Sequence, residues 1–76
     1  MRRIPVDSSS IASIGYDAER LELEIEFHES GDVYLYFDVP AEVYRDFMAA
    51  DSKGTYLNQV FKPKGYRYVV VKKGKL

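Results

Sequence analysis

Two tyrosines in the segment VYLYFDVP, Tyr34 and Tyr36, have the side chains best suited to binding chemistry. They lie two residues apart, and this spacing places both rings on one face of a strand. Aromatic rings on a sheet face can stack unpaired RNA bases, or they can pack on one another as the wall of a small core. The pattern therefore predicts either a binding platform or a second core, and it favours the core because facing aromatic rings usually pack.

The single histidine, His28, is a weak candidate metal ligand. Its neighbours Glu29 and Asp32 are carboxylates, but a metal site needs several ligands that converge on one point. The serines at positions 8–10 offer hydroxyl groups with no visible base to activate one of them. We therefore predict a surface turn at His28, a capping turn at the serines, no catalytic residue and no metal.

The loop DSKG, residues 51–54, is a candidate anion site. Backbone amides at the start of a helix, together with Lys53, could hold a phosphate. The loop lacks the glycine-rich spacing of nucleotide-binding loops, and Asp51 would repel an anion. Capping of a helix by Asp51 or Ser52 is the favoured interpretation.

Length and composition disfavour an enzyme. A chain of 76 residues forms one domain, and folding hides only ~60% of the surface that the unfolded chain exposes, so a deep active-site cavity is not expected. The absence of cysteine excludes disulfides and thiolate ligands. We predict a non-enzymatic protein without cofactors.

The net charge of −1 conceals a strong asymmetry between the two parts of the chain. Residues 1–51 hold all twelve acids and four bases, while residues 52–76 hold seven bases and no acid. Such a division indicates a basic tail that meets a charged partner, or two parts that neutralise one another within the fold or across a dimer. No apolar run is long enough for a membrane span or a signal peptide, so we predict a cytoplasmic protein without membrane contact.

The segment RLELEIEF predicts a strand with one wet face, because apolar residues alternate with glutamates. A three-residue turn at 29–31 would pair Leu23 with Phe37 in the following strand. Tyr34 would then lie across from Glu26, and Tyr36 across from a second glutamate, on the face away from any covering helix. Upstream, the short connection 17–20 would pair residues 12–16 with 21–25.

The apolar face of this meander needs a cover, and two helices are predicted to supply it. Pro40 suits the first position of a helix over 40–50, and a second helix is predicted over 52–61. Their apolar stripes are Val43, Phe47 and Ala50 in the first, and Tyr56, Leu57, Val60 and Phe61 in the second. Beyond the breakers Pro63 and Gly65, the segment YRYVVV is predicted to be a strand, and residues 72–76 are expected to be loosely held.

The predicted fold is therefore α+β: a three-stranded antiparallel meander covered by one or two helices, with an extra C-terminal strand. The order of an SSxI opening with IGYD, a LELEIEF strand, a YxY strand running into VP, and a helix leading to AADSKGTYLN resembles the KTSC domain family. That family occurs at the C-terminus of some lysyl-tRNA synthetases and as short free-standing bacterial and phage proteins. The matching residues are Ser9, Ile11, Gly15, Tyr16, Tyr34, Tyr36, Val39, Pro40, Ser52, Gly54 and Asn58.

The resemblance covers residues 8–61, so we divide the chain into an N-terminal arm (1–7), a KTSC-like domain (8–61) and a basic C-terminal strand and tail (62–76). Through the synthetase connection it implies RNA binding, for tRNA-like or other structured RNA. The candidate binding residues are Tyr34, Tyr36, Lys53, Lys62, Lys64, Tyr66, Arg67 and Tyr68.

RNA binding would require the basic tail to cross the acidic tyrosine face, since phosphate attraction supplies most of the affinity. Its lysines would then neutralise the glutamates, and Tyr66 and Tyr68 would pack on Tyr34 and Tyr36. The net charge of −1 counts against a free-standing RNA-binding domain. The alternative is a protein-interaction or homodimerisation module that uses the YVVV strand or the tyrosine face, including a small inhibitor of a host protein.

Overall fold

The computed structural model describes residues 1–74 as a five-stranded antiparallel sheet with two helices packed on one face. The strands lie side by side in chain order, and both helices are inserted between the fourth and fifth strands. The strands are β1 (Arg3–Pro5), β2 (Ile11–Asp17), β3 (Glu22–Phe27), β4 (Val33–Tyr36) and β5 (Tyr68–Lys72). Helix α1 is Ala41–Ala49, and α2 is Lys53–Tyr56, which continues as a π-helical turn (Leu57–Phe61) and a 3-10 turn (Lys62–Lys64). The predicted α+β class is confirmed, and the meander gains a strand at each edge.

Strand β1 was not expected, because residues 1–7 were predicted to be an arm. It pairs antiparallel with β2, with Ile4 opposite Ile14. The following serines form the predicted turn: the Ser8 hydroxyl accepts hydrogen bonds from the backbone amides of Ser10 and Ile11. This turn reverses the chain into β2 and brings β1 alongside it.

The predicted register of β2 against β3 is wrong by two residues, although the faces are as predicted. Tyr16 pairs with Leu23 and Ile14 with Ile25. Leu21 was expected inside the strand but lies in the turn with φ 56°, where its carbonyl accepts a hydrogen bond from the Val39 amide at 2.8 Å. The connection has four residues, as predicted, but it comprises residues 18–21 instead of 17–20, because Asp17 pairs with Glu22. The one-residue displacement of this turn moves the pairing by two residues along β3.

The predicted register of β3 against β4 is wrong by one residue, and this error exchanges the faces of β4. The turn has four residues, because the Phe27 amide donates to the Asp32 carbonyl at 3.0 Å, and Gly31 takes the left-handed conformation with φ 72°. As a result Tyr34 lies across from Ile25, not Glu26, and Tyr36 lies across from Leu23. A one-residue slip turns every side chain of a strand over. The tyrosines therefore face the helices.

Helix α1 is one residue shorter at each end than predicted, because Pro40 is the extended N-cap instead of the first helical residue and Ala50 is the C-cap. Its predicted buried residues Val43 and Phe47 are confirmed. Ser52 caps α2, with its hydroxyl accepting from the Thr55 amide at 3.2 Å. The predicted stripe of α2 is wrong at one position, because Val60 is 41% exposed. The π-helical turn widens the helix there. Leu57 and Phe61 then point inward while Val60 turns to the solvent.

The core lies between the inner face of the sheet and the two helices. Strands β2 and β3 supply aliphatic side chains, β4 supplies one tyrosine, and the helices supply aromatic and aliphatic side chains. Its members are Ile11, Ile14, Leu23, Ile25, Tyr36, Val39, Val43, Phe47, Leu57 and Phe61. A bulge in β2 between Ile11 and Ser13 brings Ile11 into this core in place of Ala12, which was the predicted partner of Ile25.

The outer face of the sheet carries the glutamates of β3, and the N-terminal strand neutralises part of their charge. Arg3 forms an ion pair with Glu24 at 2.9 Å and donates to the Ser13 hydroxyl at 3.0 Å. Ser13 in turn donates to Glu26 at 2.8 Å. The basic tail was predicted to cross these glutamates; in the described part of the chain it pairs along β4 instead.

The end of the chain is held more closely than predicted over its described part. Lys72 is the last residue of β5, and the Gly74 amide donates to the Asp32 carboxylate at 2.9 Å. The rest of the segment that we expected to be loosely held, Lys75 and Leu76, lies outside the described residues.

Candidate binding groove

A groove runs between the inner side of β4 and β5 and the chain that follows α2. One part has a volume of about 440 Å³ and is lined by Tyr34, Tyr36, Phe61, Lys62, Gly65, Tyr66 and Tyr68. The adjoining part has a volume of about 610 Å³ and is lined by Tyr34, Tyr36, Lys62, Ser9, Ser10, Phe27, Glu29 and Ser30. Because three residues line both parts, we treat them as one surface and name it the tyrosine groove.

The two tyrosines of β4 have different roles in this groove. Tyr36 is only 6% exposed and meets Phe61 edge to face with ring centroids 4.8 Å apart, so it belongs to the core. Tyr34 is half-buried and stacks on Tyr68 with centroids 5.2 Å apart and ring planes inclined by 16°. Tyr68 is 51% exposed. Tyr36 is therefore a core residue, but of the main core beneath the helices and not of the predicted second core on the opposite face. The Tyr34–Tyr68 pair presents ring surface to the solvent.

The C-terminal tyrosines follow the prediction in part. Tyr68 packs on both tyrosines of β4, as expected, because β5 pairs with β4 and places Tyr68 directly across from Tyr36. Tyr66 packs on Phe61 instead, with ring centroids 5.2 Å apart. It forms a wall of the groove, because the chain turns at Gly65 before β5 begins.

The predicted basic residues do not all come together. Lys62 lines both parts of the groove. Lys53 donates its ammonium group to the carbonyl of Ala50 at 2.9 Å and so ties the two helices together. Lys64 is exposed in the 3-10 turn, and the Arg67 guanidinium lies 4.8 Å from the centre of the Phe37 ring. The groove is not lined by Lys53, Lys64 or Arg67. Its ammonium group is therefore that of Lys62.

Several groove residues were not among the sequence candidates. Phe61 was assigned to the core by its helical spacing, and Ser9 and Ser10 were assigned to a turn. Phe27, Glu29 and Ser30 line the groove because the four-residue turn brings the end of β3 toward the serines; the His28 amide donates to the Ser10 carbonyl at 3.0 Å. No local sequence signal identifies them, because the groove forms only when β4 turns its tyrosines inward.

Burial, together with a smaller effect of the neighbouring phenols of Tyr34 and Tyr68, raises the pKa of Tyr36 to about 12. Burial also raises the pKa of Tyr66 in the groove wall. Both rings therefore stay neutral at physiological pH and act as hydrogen-bonding, stackable phenols.

Tyr36 should make the fold sensitive to alkaline pH. Its folded pKa of about 12 lies above the ordinary value of 10.0, so the fold favours the protonated phenol. The stabilisation is complete below pH 10 and is lost as the pH rises toward 12, with a total of roughly 3 kcal/mol. Urea unfolding measured from about pH 9 to about pH 12 should show this decline.

The matched control is Tyr36→Phe, which keeps the ring and removes the ionisable group. Its stability should fall less steeply over the same pH interval, because the raised pKa of Tyr36 no longer contributes. An equal decline in both proteins would show that Tyr36 ionises as freely in the folded chain as in the unfolded chain.

The groove supplies ring faces, one ammonium group, hydroxyl groups and, at one end, the carboxylate of Glu29. Within residues 1–74, histidines and carboxylates form no cluster of three or more that could hold a metal ion. His28 is exposed in the β3–β4 turn, as expected. The helices of this part of the chain are also too short or too polar to cross a membrane. The arrangement suits a flat, hydrogen-bonding ligand that carries negative charge.

Comparison with protein families gives a match to the KTSC domain over residues 7–72. The match continues past Phe61 and includes β5. A crystal structure of a KTSC domain protein from Yersinia pestis has the same fold, with a TM-score of 0.87 and 41% sequence identity over 93% of this chain and 97% of that one.

Two relatives are similar over most of their own length. An uncharacterised protein of Stutzerimonas stutzeri is 52% identical over 68 residues, which are 90% of this chain and 94% of that protein. A protein of Tsukamurella paurometabola is 43% identical over 60 residues. A lysine–tRNA ligase of Nostoc punctiforme is 41% identical over 58 residues, which are 76% of this chain and only 10% of the ligase.

Proposed function

The chain belongs to the KTSC domain family, and on that premise we propose that it is a small non-enzymatic module that binds unpaired RNA bases in the tyrosine groove. The observation that carries the proposal is the Tyr34–Tyr68 stack, in which Tyr68 is half-exposed and which lines the same part of the groove as Lys62. Aromatic side chains on a sheet face, next to a positive charge, are a common way to hold single-stranded nucleic acid. We expect the module to act in the cytoplasm of a bacterium or a phage-infected cell.

Two observations favour structured RNA as the ligand class. One relative is named a lysine–tRNA ligase, so a tRNA or a tRNA-like hairpin is the first RNA to test. The groove also contains the ammonium group of Lys62, which lines both of its parts and could attract a phosphate. The glutamates of β3 that opposed this function in the sequence lie across from Gly15, Ser13, Leu35 and Val33, on the other face of the sheet.

Tyr34→Ala is expected to weaken RNA binding about tenfold or more while the protein stays folded. Base stacking on an aromatic ring contributes ~1–3 kcal/mol per base, and Tyr34 is only half-buried, so its loss should affect binding more than stability. The measurement is fluorescence anisotropy with a labelled RNA hairpin that has an unpaired loop, at low and at high salt. Binding should weaken at high salt because bound phosphates release counterions.

Matched variants distinguish the loss of base stacking or of charge attraction from an unspecific loss of folded structure. Tyr34→Phe keeps the ring and should bind like the unaltered protein. Lys62→Glu should weaken binding strongly, whereas Arg20→Glu makes the same charge change in the distant β2–β3 turn and should weaken it little. A fully paired duplex that binds as tightly as the hairpin, or equal losses in Lys62→Glu and Arg20→Glu, would contradict binding of unpaired bases in the groove.

A protein-interaction module is the second candidate, including one that joins two copies of the chain or inhibits another protein. The observation that favours it is the exposure of four consecutive apolar residues on the edge strand β5, which are Tyr68, Val69, Val70 and Val71. Exposed apolar edges of this kind commonly mark binding sites. Protein binding without RNA that is insensitive to Tyr34→Ala and Lys62→Glu would favour this candidate.

A further inference from the structure

Within the residues that the structure describes, strand β5 is an edge of the sheet. The strand order of residues 1–74 places it beside β4 alone. The Phe37 amide donates to the Arg67 carbonyl at 2.9 Å, so this pair is hydrogen-bonded, and hydrogen-bonded pairs alternate along an antiparallel ladder. Arg67 and Val69 therefore direct their main-chain groups to β4. Tyr68 and Val70 direct theirs away from the sheet, where another strand could pair with them.

The side chains of this edge are apolar in the middle and basic at both ends. Tyr68, Val69, Val70 and Val71 are 39–51% exposed, an unusual amount of apolar surface for one short strand. Arg67 precedes them, and Lys72 and Lys73 follow. A strand that pairs with β5 would therefore meet β-branched side chains at its centre and positive charge at its ends.

This charge pattern argues against a second copy of the chain as the occupant. Pairing β5 with itself would bring two sets of these three bases together, with no acid available from residues 52–76. At the other edge, β1, Arg2 precedes the strand, while the charge of Arg3 is compensated by its ion pair with Glu24. Like charges on neighbouring strands destabilise the pairing, and lysines on edge strands are a common protection against self-association.

We infer that β5 is a docking edge for an acidic, extended segment of another protein, which adds a sixth strand to the sheet. The main-chain groups of Tyr68 and Val70 supply the hydrogen bonds, and Arg67, Lys72 and Lys73 select for acidic residues that flank a β-branched centre. The inference rests on the second candidate function and goes beyond it in naming the edge and the chemistry of the partner. It does not require the tyrosine groove to bind RNA.

The test uses a synthetic peptide in which valine and threonine alternate between pairs of glutamates, and a control peptide with lysines in place of the glutamates. The unaltered chain should bind the acidic peptide about tenfold more tightly than the basic one, because several opposite-charge pairs act together. In NMR spectra of the labelled chain, the amide signals of Tyr68 and Val70 should shift most. Equal affinity for both peptides, or no binding of either, would overturn the inference.

Val70→Pro tests the main-chain hydrogen bonds. Proline removes the outward amide without breaking a bond to β4, so the fold should persist while peptide affinity falls about tenfold or more. Val70→Thr keeps the amide and a β-branched side chain and should bind nearly normally. Unchanged affinity in folded Val70→Pro would show that the peptide does not pair with β5.

The charge reversal Lys72→Glu with Lys73→Glu decides the question even if Val70→Pro does not fold. This variant should prefer the basic peptide, and a retained preference for the acidic peptide would overturn the inference. Sedimentation without peptide should show a monomer, and a concentration-dependent dimer that Val70→Pro abolishes would identify a second copy as the occupant instead. RNA binding by folded Val70→Pro should be normal, so failure of the peptide result and failure of the RNA proposal remain distinguishable.

Discussion

Tyr36→Ala should lower the free energy of unfolding by about 3–5 kcal/mol, the loss expected when a large aromatic side chain is removed from a core. Tyr36 is 6% exposed and packs edge to face on Phe61. A domain of this size has a total stability of about 4–11 kcal/mol, so the expected loss is a large fraction of the total. Urea unfolding followed by circular dichroism measures the difference.

The matched control is Tyr34→Ala, which removes the same side chain two residues earlier on the same strand. Tyr34 is half-buried and stacks on a ring that is itself half-exposed, so its removal should cost clearly less stability. If both variants lost equal stability, the division of the two tyrosines into a core residue and a groove residue would be wrong.

Leu23→Ala should lower the free energy of unfolding by about 2–5 kcal/mol, the range for a large aliphatic side chain removed from a core. Leu23 is fully buried in the middle of the sheet, where it pairs with Tyr16 on one side and Tyr36 on the other. The surrounding strands cannot collapse easily into the space that the substitution leaves. Thermal and urea unfolding should both register the loss.

Leu35→Ala is the corresponding control on β4. Leu35 pairs with Glu24 on the outer face and is half-buried, so this substitution should be much less destabilising than Leu23→Ala. The three-residue turn predicted from the sequence would instead place Leu35 among the core side chains. Equal losses in the two variants would therefore favour that register over the one in the structure.

Local patterns were sufficient to predict most of the elements. The alternation of leucine and isoleucine with glutamate identified β3, and Pro40 followed by Val43 and Phe47 identified α1 and its buried face. The run of β-branched valines that follows Tyr68 identified β5. These signals are local, since each depends on residues within one element.

The errors arose where two elements meet. In HESGD, a glycine at Gly31 is compatible with a three-residue turn and with a four-residue turn, and only the packed sheet selects the longer one. The bulge at the start of β2 and the π-helical turn that ends at Phe61 each add one residue to a regular element. The spacing of apolar residues does not predict such an insertion. β1 is short and half-exposed, so its sequence lacks a clear alternation.

The sequence predicted some of the residues of the candidate site but not their position in the fold. The structure brings together Tyr34, Tyr36, Lys62, Tyr66 and Tyr68, as the sequence analysis grouped them. It places them on the covered side of the sheet, because the inward tyrosines of β4 open a groove beside the end of α2. The sequence does not show that Lys53 lies outside the groove, because its hydrogen bond to Ala50 depends on how the two helices meet.

The four-residue turn between β3 and β4 also limits how sequences with this fold can change during evolution. A replacement in the turn, at Glu29 or Ser30 for example, changes the rim of the groove but leaves the two faces of β4 as they are. An insertion or deletion of a single residue turns every side chain of β4 over to the opposite face of the sheet. Leu35 would then compete with the tyrosines for the core, and the groove would lose its walls together with the core. The groove therefore depends on the length of this turn as much as on the tyrosines themselves, even though none of the tyrosines lies within it.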